Sequence, residues 1–500
     1  MTAAMTIPEL FDAAAEAVPD KDWLFWEDER YTYGEAAARV AAAAAALADA
    51  GIGHGDLVLA TARNEPAYLF TWLAVTRLGA IFVPVNPKGS TQELAGLAAQ
   101  WAPRLVVTDA TLAGAFAGHA LLDIAELAAA RATQPPPAAA APGDPAVLIP
   151  TSGTTGRSKL VTQTHRAYAW AGEGFPYWMR LGSDDRLMTS LPLFHVNAPA
   201  YSILGAVGAR ASIVLLPRFS ASGFLDAARR YGATEFNAIG AMLEILMAQP
   251  ERPDDADNPL RLCYTGPSPP RERQLEIERR FGIEIVCGYG LSESPYALIW
   301  PHGKRPYGTL GTVRQHPTLG TVNEARVVED GQDVPVGEVG ELWLRNPTVM
   351  LGYWAMPEET SEVLVDGWLR TGDLVRREPD ALYTFVARRK EVIRRRGENL
   401  APAEVEAGLA EHPDVAEVAV VGVPSALTEE EVKAFVVPRP GARPSPPALR
   451  DFAEERLTRF KVPRYLELVD ELPHTPTGRV AKHRLPAELT GAEWDAEEER

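Results

Sequence analysis

Thr151-Ser-Gly-Thr-Thr-Gly-Arg-Ser-Lys159 places two glycines, a row of hydroxyl side chains, an arginine and a lysine within nine residues, directly after the apolar run Ala146-Val-Leu-Ile149. That composition suits a loop at a strand end that wraps an oxyanion. The glycines let backbone N–H groups approach closely, the hydroxyls donate, and the basic side chains neutralise charge. It is not a Walker A loop, because no Gly-Lys-Ser/Thr follows a glycine at the required interval. A polar Gly/Thr turn with no ligand has the same composition, so the rest of the chain must decide between them.

At 500 residues the chain exceeds one ordinary core, and two or more domains are expected. Hydrophobic residues at 46% and charged residues at 23% describe a globular protein. The 49 basic and 67 acidic residues give a net charge of −18, which argues against nucleic acid or an anionic membrane as partner of the whole surface. The two cysteines, Cys263 and Cys287, sit in apolar runs and read as buried free thiols. No Cys/His group has zinc-ligand spacing. The N-terminus lacks a basic region followed by an apolar core, so no signal peptide is expected. No uncharged apolar run reaches membrane-spanning length, and a cytoplasmic location is expected. The Ala-rich stretch from Glu35 to Ala50, closed by Gly51, reads as a surface helix with a glycine cap.

Short β-branched runs alternate with helical patterns through the first three quarters. Leu57-Val-Leu59, Ile81-Phe-Val83, Leu105-Val-Val107 and Ala211-Ser-Ile-Val-Leu-Leu216 read as strands, and Ala67 to Leu78 and Phe224 to Tyr231 as helices. This alternation predicts α/β layers with largely parallel sheets. The Pro/Ala-rich stretch from Gln134 to Gly143 holds no regular element and reads as a surface loop. From Val336 the grain changes to short strands and turns. Beyond Arg388 to Glu391, Ala401 to Ala410 reads as a helix, Val415 to Val421 and Glu431 to Val437 as strands, and Pro447 to Phe460 as a second helix.

Further landmarks follow in order. They are Leu191-Pro-Leu-Phe-His195, Gly288-Tyr-Gly-Leu-Ser-Glu293, Trp368-Leu-Arg-Thr-Gly-Asp373, Arg388-Arg-Lys390 with Gly397-Glu-Asn399, and Pro476-Thr-Gly-Arg479. With the opening segment they resemble the adenylate-forming superfamily of acyl-CoA synthetases, luciferases and nonribosomal-peptide adenylation domains, from about Phe11 to Leu485. The resemblance implies a large α/β N-terminal domain of layered sheets and helices, residues 1–387, a hinge at 388–391, and a small mobile α+β C-terminal domain, residues 392–500.

It also implies a chemistry. A carboxylate is a poor electrophile because oxide leaves badly. Transfer to the α-phosphate of ATP makes that oxygen part of AMP. By this resemblance Thr151, Ser152, Gly153, Thr154, Thr155, Gly156 and Lys159 embrace the β- and γ-phosphates. Glu293 binds magnesium with Thr154 nearby; read alone, a glutamate after serine is a helix N-terminal acid. Tyr289 stacks on adenine beside Gly288 and Gly290, and Ser292 reaches the α-phosphate. Gly266, Pro267 and Ser268 border the adenine and the acyl group. Asp373 holds the ribose hydroxyls, although Gly-Asp is also ordinary turn chemistry, and Arg388 adds a contact to ribose or phosphate. Lys390 matches the hinge. His195 lines the acyl pocket or gates the coenzyme A tunnel, or is a structural histidine. Ala238, Gly240, Tyr264 and Pro295 shape the pocket. Phe194, Phe236, Tyr264 and Tyr296 suggest aromatic walls, as does ordinary core packing.

The sequence departs from the family pattern near its end. The family's catalytic lysine directly after glycine is here Arg479, which keeps the charge on a broader planar head. Lys482 stands three residues on. Arg479 performs the role, Lys482 substitutes, or the adenylation chemistry is altered; a related Arg-for-Lys pattern occurs in some carnitine-CoA-ligase-like members. The leading reading is an acid–thiol ligase using ATP, magnesium and coenzyme A on a small or aryl carboxylic acid. Alternatives are a carrier-protein thiol or an amine as acceptor, nitrite activation for diazotisation of an aryl amine, and a non-catalytic nucleotide-binding homologue. Homodimers are common among such proteins.

Overall fold

The computed structural model describes residues 5–131, 136–151, 159–266, 268–395, 398–425, 430–475 and 479–497. They group into two compact units, one of residues 1–325 and 344–369, the other of residues 326–343 and 370–500. The expected hinge at Arg388–Glu391 lies inside the second unit.

The first unit is built on two sheets. In the nine-stranded sheet, Asp22–Trp26, Ser212–Leu215, Arg186–Thr189, Glu235–Asn237, Leu262–Thr265 and Glu284–Leu291 run parallel in that order. Antiparallel strands flank them: Glu29–Thr32 at one side, Ser294–Ile299 and Thr312–Val313 at the other. In the seven-stranded sheet, Leu121–Asp123, Leu105–Thr108, Leu57–Thr61, Ile81–Pro84 and Pro145–Thr151 are parallel, and Lys159–Thr164 and Gly352–Tyr353 complete it antiparallel. Apolar runs without alternation are what strands buried on both faces require; Leu105–Thr108 and Ile81–Pro84 are buried throughout.

The Ala-rich helix spans Tyr33–Asp49, opened by a capping box between Thr32 and Glu35. It is less superficial than expected. Ala36, Val40, Ala42, Ala43, Ala44 and Leu47 are buried, because methyl-sized side chains let the helix lie close to its neighbours. Helices Pro66–Arg77 and Phe224–Tyr231 fall where the patterning put them.

In the second unit, residues 373–377 of the strand Trp368–Arg377 pair antiparallel with Tyr383–Arg388. A four-stranded sheet follows, in the order Val415–Pro424, Glu430–Pro438, Tyr465–Leu468, Trp494–Asp495. Helices Pro402–Ala410 and Pro446–Glu454 accompany it, and Val405, Leu409, Val420, Val432, Leu449 and Leu466 meet in one core. The helix expected over Pro447 to Phe460 ends early, at Glu454, and a short 3-10 turn at Arg459–Lys461 follows. Within and just beyond that turn the Phe460 and Val462 carbonyls accept Arg395 Nη1 at 2.8 and 2.9 Å. Arg395 is itself buried against Glu431 at 2.6 Å, so those carbonyls satisfy a guanidinium removed from water.

Candidate active site

Two hairpins of the first unit carry the groups expected to hold the triphosphate and its metal. Pro145–Thr151 and Lys159–Thr164 pair with Thr151 opposite Lys159, and the Thr151 hydroxyl donates to the Lys159 carbonyl at 3.3 Å. The two ends of the expected phosphate loop are thereby held side by side. Ser152, Gly153, Thr154, Thr155 and Gly156 lie outside the described residues, as does Pro267.

In the second hairpin Leu291 faces Ser294, which leaves Ser292 and Glu293 as a two-residue tip. Glu293 therefore sits on a turn between strands, not at a helix start. The tip is pinned at three points. The Gln163 amide donates to the Ser292 carbonyl at 2.6 Å, Met350 N–H donates to the Glu293 carbonyl at 2.8 Å, and the Tyr353 hydroxyl donates to the Glu293 carboxylate at 3.1 Å. Burial, and then the neighbouring Glu293 charge, push the Tyr353 phenol well above its usual range, so it remains a donor at neutral pH. The Lys159 ammonium lies 4.7 Å from the centre of the same ring. Tyr353 thus joins the lysine of one hairpin to the carboxylate of the other.

Beside these lies the strand end expected to carry the acyl and adenine contacts. Gly266 follows Leu262–Thr265, and a Cβ there would lie 2.4 Å from the Gly288 carbonyl oxygen, so no larger residue fits. Ser268 Oγ accepts from Gly308 N–H at 3.3 Å. Tyr289 is half-buried and Gly290 exposed on the hairpin strand. Ala238 N–H donates to the Tyr264 carbonyl at 2.9 Å, and Gly240 opens the helix Gly240–Met247. The Pro295 carbonyl accepts Arg314 Nη1 at 2.8 Å. His195 packs 4.5 Å from the Phe194 ring, and both border a small apolar cavity with Trp72, Tyr168 and Pro199. Two of the expected aromatic walls are core packing. Phe236 stacks edge-on against Phe224, and Tyr296 packs against Trp170 and Trp178. Both cysteines are buried free thiols; burial pushes Cys287 up to about 12.

In the second unit Asp373 and Arg388 stand directly opposite one another on adjacent strands, Arg388 Nε 2.8 Å from the Asp373 carboxylate. The Asp373 side chain is buried, and its N–H donates to the Thr371 hydroxyl at 3.1 Å. Gly372, at φ +72°, provides the kink, and Gly372 N–H donates to Glu341 at 3.0 Å. Lys390 falls in the 3-10 turn Arg389–Glu391. Arg479 is at the foot of a hairpin in which His474 bridges Val480, and its N–H donates to the Thr475 hydroxyl at 3.2 Å. Lys482 Nζ lies 2.6 Å from Glu406 and 3.7 Å from Glu391.

Family models cover both parts of the chain: AMP-binding enzyme over residues 11–354 and AMP-binding enzyme C-terminal domain over residues 404–479. The chain belongs to the AMP-binding enzyme family. It is 33% identical to an indoleacetate–CoA ligase of Aromatoleum aromaticum, over 96% of this chain and 97% of that protein. It is 29% identical to a crotonobetaine/carnitine–CoA ligase of Salmonella typhimurium, over 95% and 98%. The ATP-bound crystal structure of MatB from Rhodopseudomonas palustris superposes with a TM-score of 0.88 at 28% identity, covering 96% of this chain and 98% of that one. The adenylate-forming fold, with its large N-terminal and smaller C-terminal domains, and the AMP-forming ligase class are thereby established.

Within this AMP-binding enzyme, three residues of the site escaped the sequence reading. Gln163 sits in an ordinary strand, and Tyr353 lies 60 residues from its partner Glu293. Arg314, in Gly311-Thr-Val-Arg314, carried one audible signal: a lone charge in a stretch otherwise suited to the interior. No helix among the described residues is long and apolar enough to cross a membrane.

Proposed function

We infer that this chain is an ATP-dependent acid–coenzyme A ligase whose acid carries an aromatic ring. The observation that carries the reading is the grouping of Lys159, Tyr353 and Glu293, which gathers a phosphate-neutralising cation and a hard oxygen ligand on one ring. The aromatic acid is supported by the 33% identity to an indoleacetate–CoA ligase and by Tyr264 beside the expected acyl pocket.

In the first half-reaction a carboxylate oxygen attacks the α-phosphorus of ATP. The bond from that phosphorus to the bridging oxygen breaks, and pyrophosphate departs with the electron pair. In the second, the sulfur of coenzyme A attacks the acyl carbon, AMP leaves with the carboxylate-derived oxygen, and the thiol proton passes to solvent. On this reading Lys159 neutralises the departing pyrophosphate, and Tyr289 stacks on adenine. Asp373 accepts both ribose hydroxyls while Arg388 orients its carboxylate. Arg479 bonds the acid's carboxylate and the α-phosphate. Lys390 is the pivot between adenylating and thioester-forming poses.

The residues suit magnesium. Glu293 offers a half-buried carboxylate, and no group of three or more His, Cys, Asp or Glu that could cage a metal occurs among the described residues. An ion that keeps its waters and takes phosphate oxygens asks for no more. When bound, magnesium lowers the charge repulsion between the triphosphate and the incoming carboxylate.

The test is pyrophosphate release across a panel of aryl, arylacetic and short aliphatic acids, with the coenzyme A product identified by mass spectrometry. Aromatic acids are expected to lead the panel; release with aliphatic acids only would overturn the substrate class.

A further inference from the structure

Arg314 is fully buried, and among the described residues no carboxylate lies within ion-pair distance of it. Its surroundings are aromatic. The guanidinium carbon is 4.4 Å from the centre of a Trp178 ring, 4.9 Å from Tyr201 and 5.7 Å from Tyr264. Nε donates to the Leu298 carbonyl at 3.0 Å, Nη1 to the Pro295 carbonyl at 2.8 Å, and Nη2 to the Tyr264 hydroxyl. A desolvated cation held by carbonyl dipoles and ring faces keeps its full charge, and burial weakens screening by solvent.

The cage backs directly onto the strand that carries the acyl and adenylate contacts. A Cβ on Gly288 would lie 2.8 Å from the Tyr264 ring, and one on Gly290 2.7 Å from the Tyr201 hydroxyl. Three aromatic rings around a cation are also the usual arrangement for a quaternary ammonium ligand. Here the chain's own guanidinium fills that place.

We propose that Arg314 is a specificity-determining residue that biases the acyl pocket toward acids without a cationic group and against betaine-type acids bearing a trimethylammonium. The proposal rests on the ligase reading above. The positive charge behind Tyr264 and Pro295 repels a second cation in the pocket and attracts the carboxylate and the adenylate phosphate.

The experiment compares two isosteric acids, one ending in trimethylammonium and one in tert-butyl, with phenylacetate as reference, by pyrophosphate release. The enzymes are the wild type, Arg314→Lys and Arg314→Gln, the last keeping an amide donor for the Pro295 carbonyl. The wild type is expected to favour the tert-butyl acid at least tenfold in kcat/KM. Arg314→Lys retains that ratio, and Arg314→Gln narrows it about tenfold by gaining on the cationic acid. A folded Arg314→Gln with an unchanged ratio overturns the proposal. Should that variant fail to fold, a wild type that uses both isosteres equally overturns it, and the tenfold preference together with its retention in Arg314→Lys sustains it. Pyrophosphate release with phenylacetate but no charge discrimination sinks this inference alone. No release with any acid sinks the ligase reading with it.

Discussion

The Lys482 ammonium lies 2.6 Å from the Glu406 carboxylate, and that carboxylate also accepts the Val420 N–H at 2.8 Å. Lys482 thereby secures the helix Pro402–Ala410 against the strand Val415–Pro424, with Glu391 3.7 Å away on its other side. Its charge is committed within the second unit, and Arg479 stands beside Val480 in the hairpin, at the position where the family signature falls. Arg479→Met is expected to lower acid-dependent pyrophosphate release by more than about tenfold while leaving ATP binding largely intact. Lys482→Met is expected to lower stability by about 1–2 kcal/mol, between the values for surface and buried pairs, with activity tracking the folded fraction. Melting curves and release rates on both variants check this. A Lys482→Met enzyme that is fully folded yet silent would reverse the assignment.

Tyr353→Phe removes the hydroxyl that donates to Glu293 and keeps the ring under Lys159. A hydrogen bond to a charged group is worth about 1.5–3 kcal/mol, part of which orients the Glu293 carboxylate. The magnesium concentration at half-maximal rate is expected to rise about three- to tenfold, with a smaller fall in the maximal rate. A magnesium titration of pyrophosphate release measures it. An unchanged half-saturation point would show that the hydroxyl only packs.

What the sequence disclosed follows from what each signal depends on. The parallel strands and the helix Phe224–Tyr231 were legible because patterning and turn residues are local. The motifs were legible because each is a short run with fixed chemistry. Contacts made across the fold were not. Nothing near Tyr353 announces Glu293, and nothing near Lys482 announces Glu406. The helix after Pro446 was drawn too long: past Glu454 the chain turns into Arg459–Lys461, where the Phe460 and Val462 carbonyls accept Arg395, 65 and 67 residues away, a contact no local pattern announces. The buried cation Arg314 shows in sequence only as an oddity, since its surroundings are three rings contributed by three separate segments.

Glu235 is fully buried on a central parallel strand, paired in register with Leu187 and Leu262, and neither carboxyl oxygen has a hydrogen-bond partner among the described residues. Burial holds its carboxyl well above the usual range; Asp185 adds to this and Arg261 opposes it. The folded state keeps the proton that the unfolded chain loses above about pH 4.3. Stability from this group is therefore complete below that pH and declines as pH rises toward the folded value, by about 1.4 kcal/mol per unit. Glu235→Gln, an isostere of the protonated acid, is expected to raise Tm more at pH 8.5 than at pH 6. Equal shifts at the two pH values would mean the carboxyl is not protonated in the fold.

The fully buried Lys433 lies 2.8 Å from both Glu467 and Glu493, and Glu493 belongs to the segment that ends in the edge strand Trp494–Asp495. Burial alone would raise the Glu493 carboxyl. The Lys433 ammonium, with donors from Gly491 and Thr490, outweighs it and holds the carboxyl down to about 2. The folded state thus binds fewer protons than the unfolded chain between about pH 2 and pH 4.3. The contribution is full at neutral pH and is lost as pH falls through that window. Glu493→Gln removes it at every pH, so the variant is expected to melt well below the wild type at pH 7, with the gap in stability narrowed by about a third at pH 3.5. Calorimetric melts of the full chain over that range read the difference. A gap that stays constant with pH would place the loss in packing of the terminal strand, because an amide left beside a buried ammonium titrates nothing.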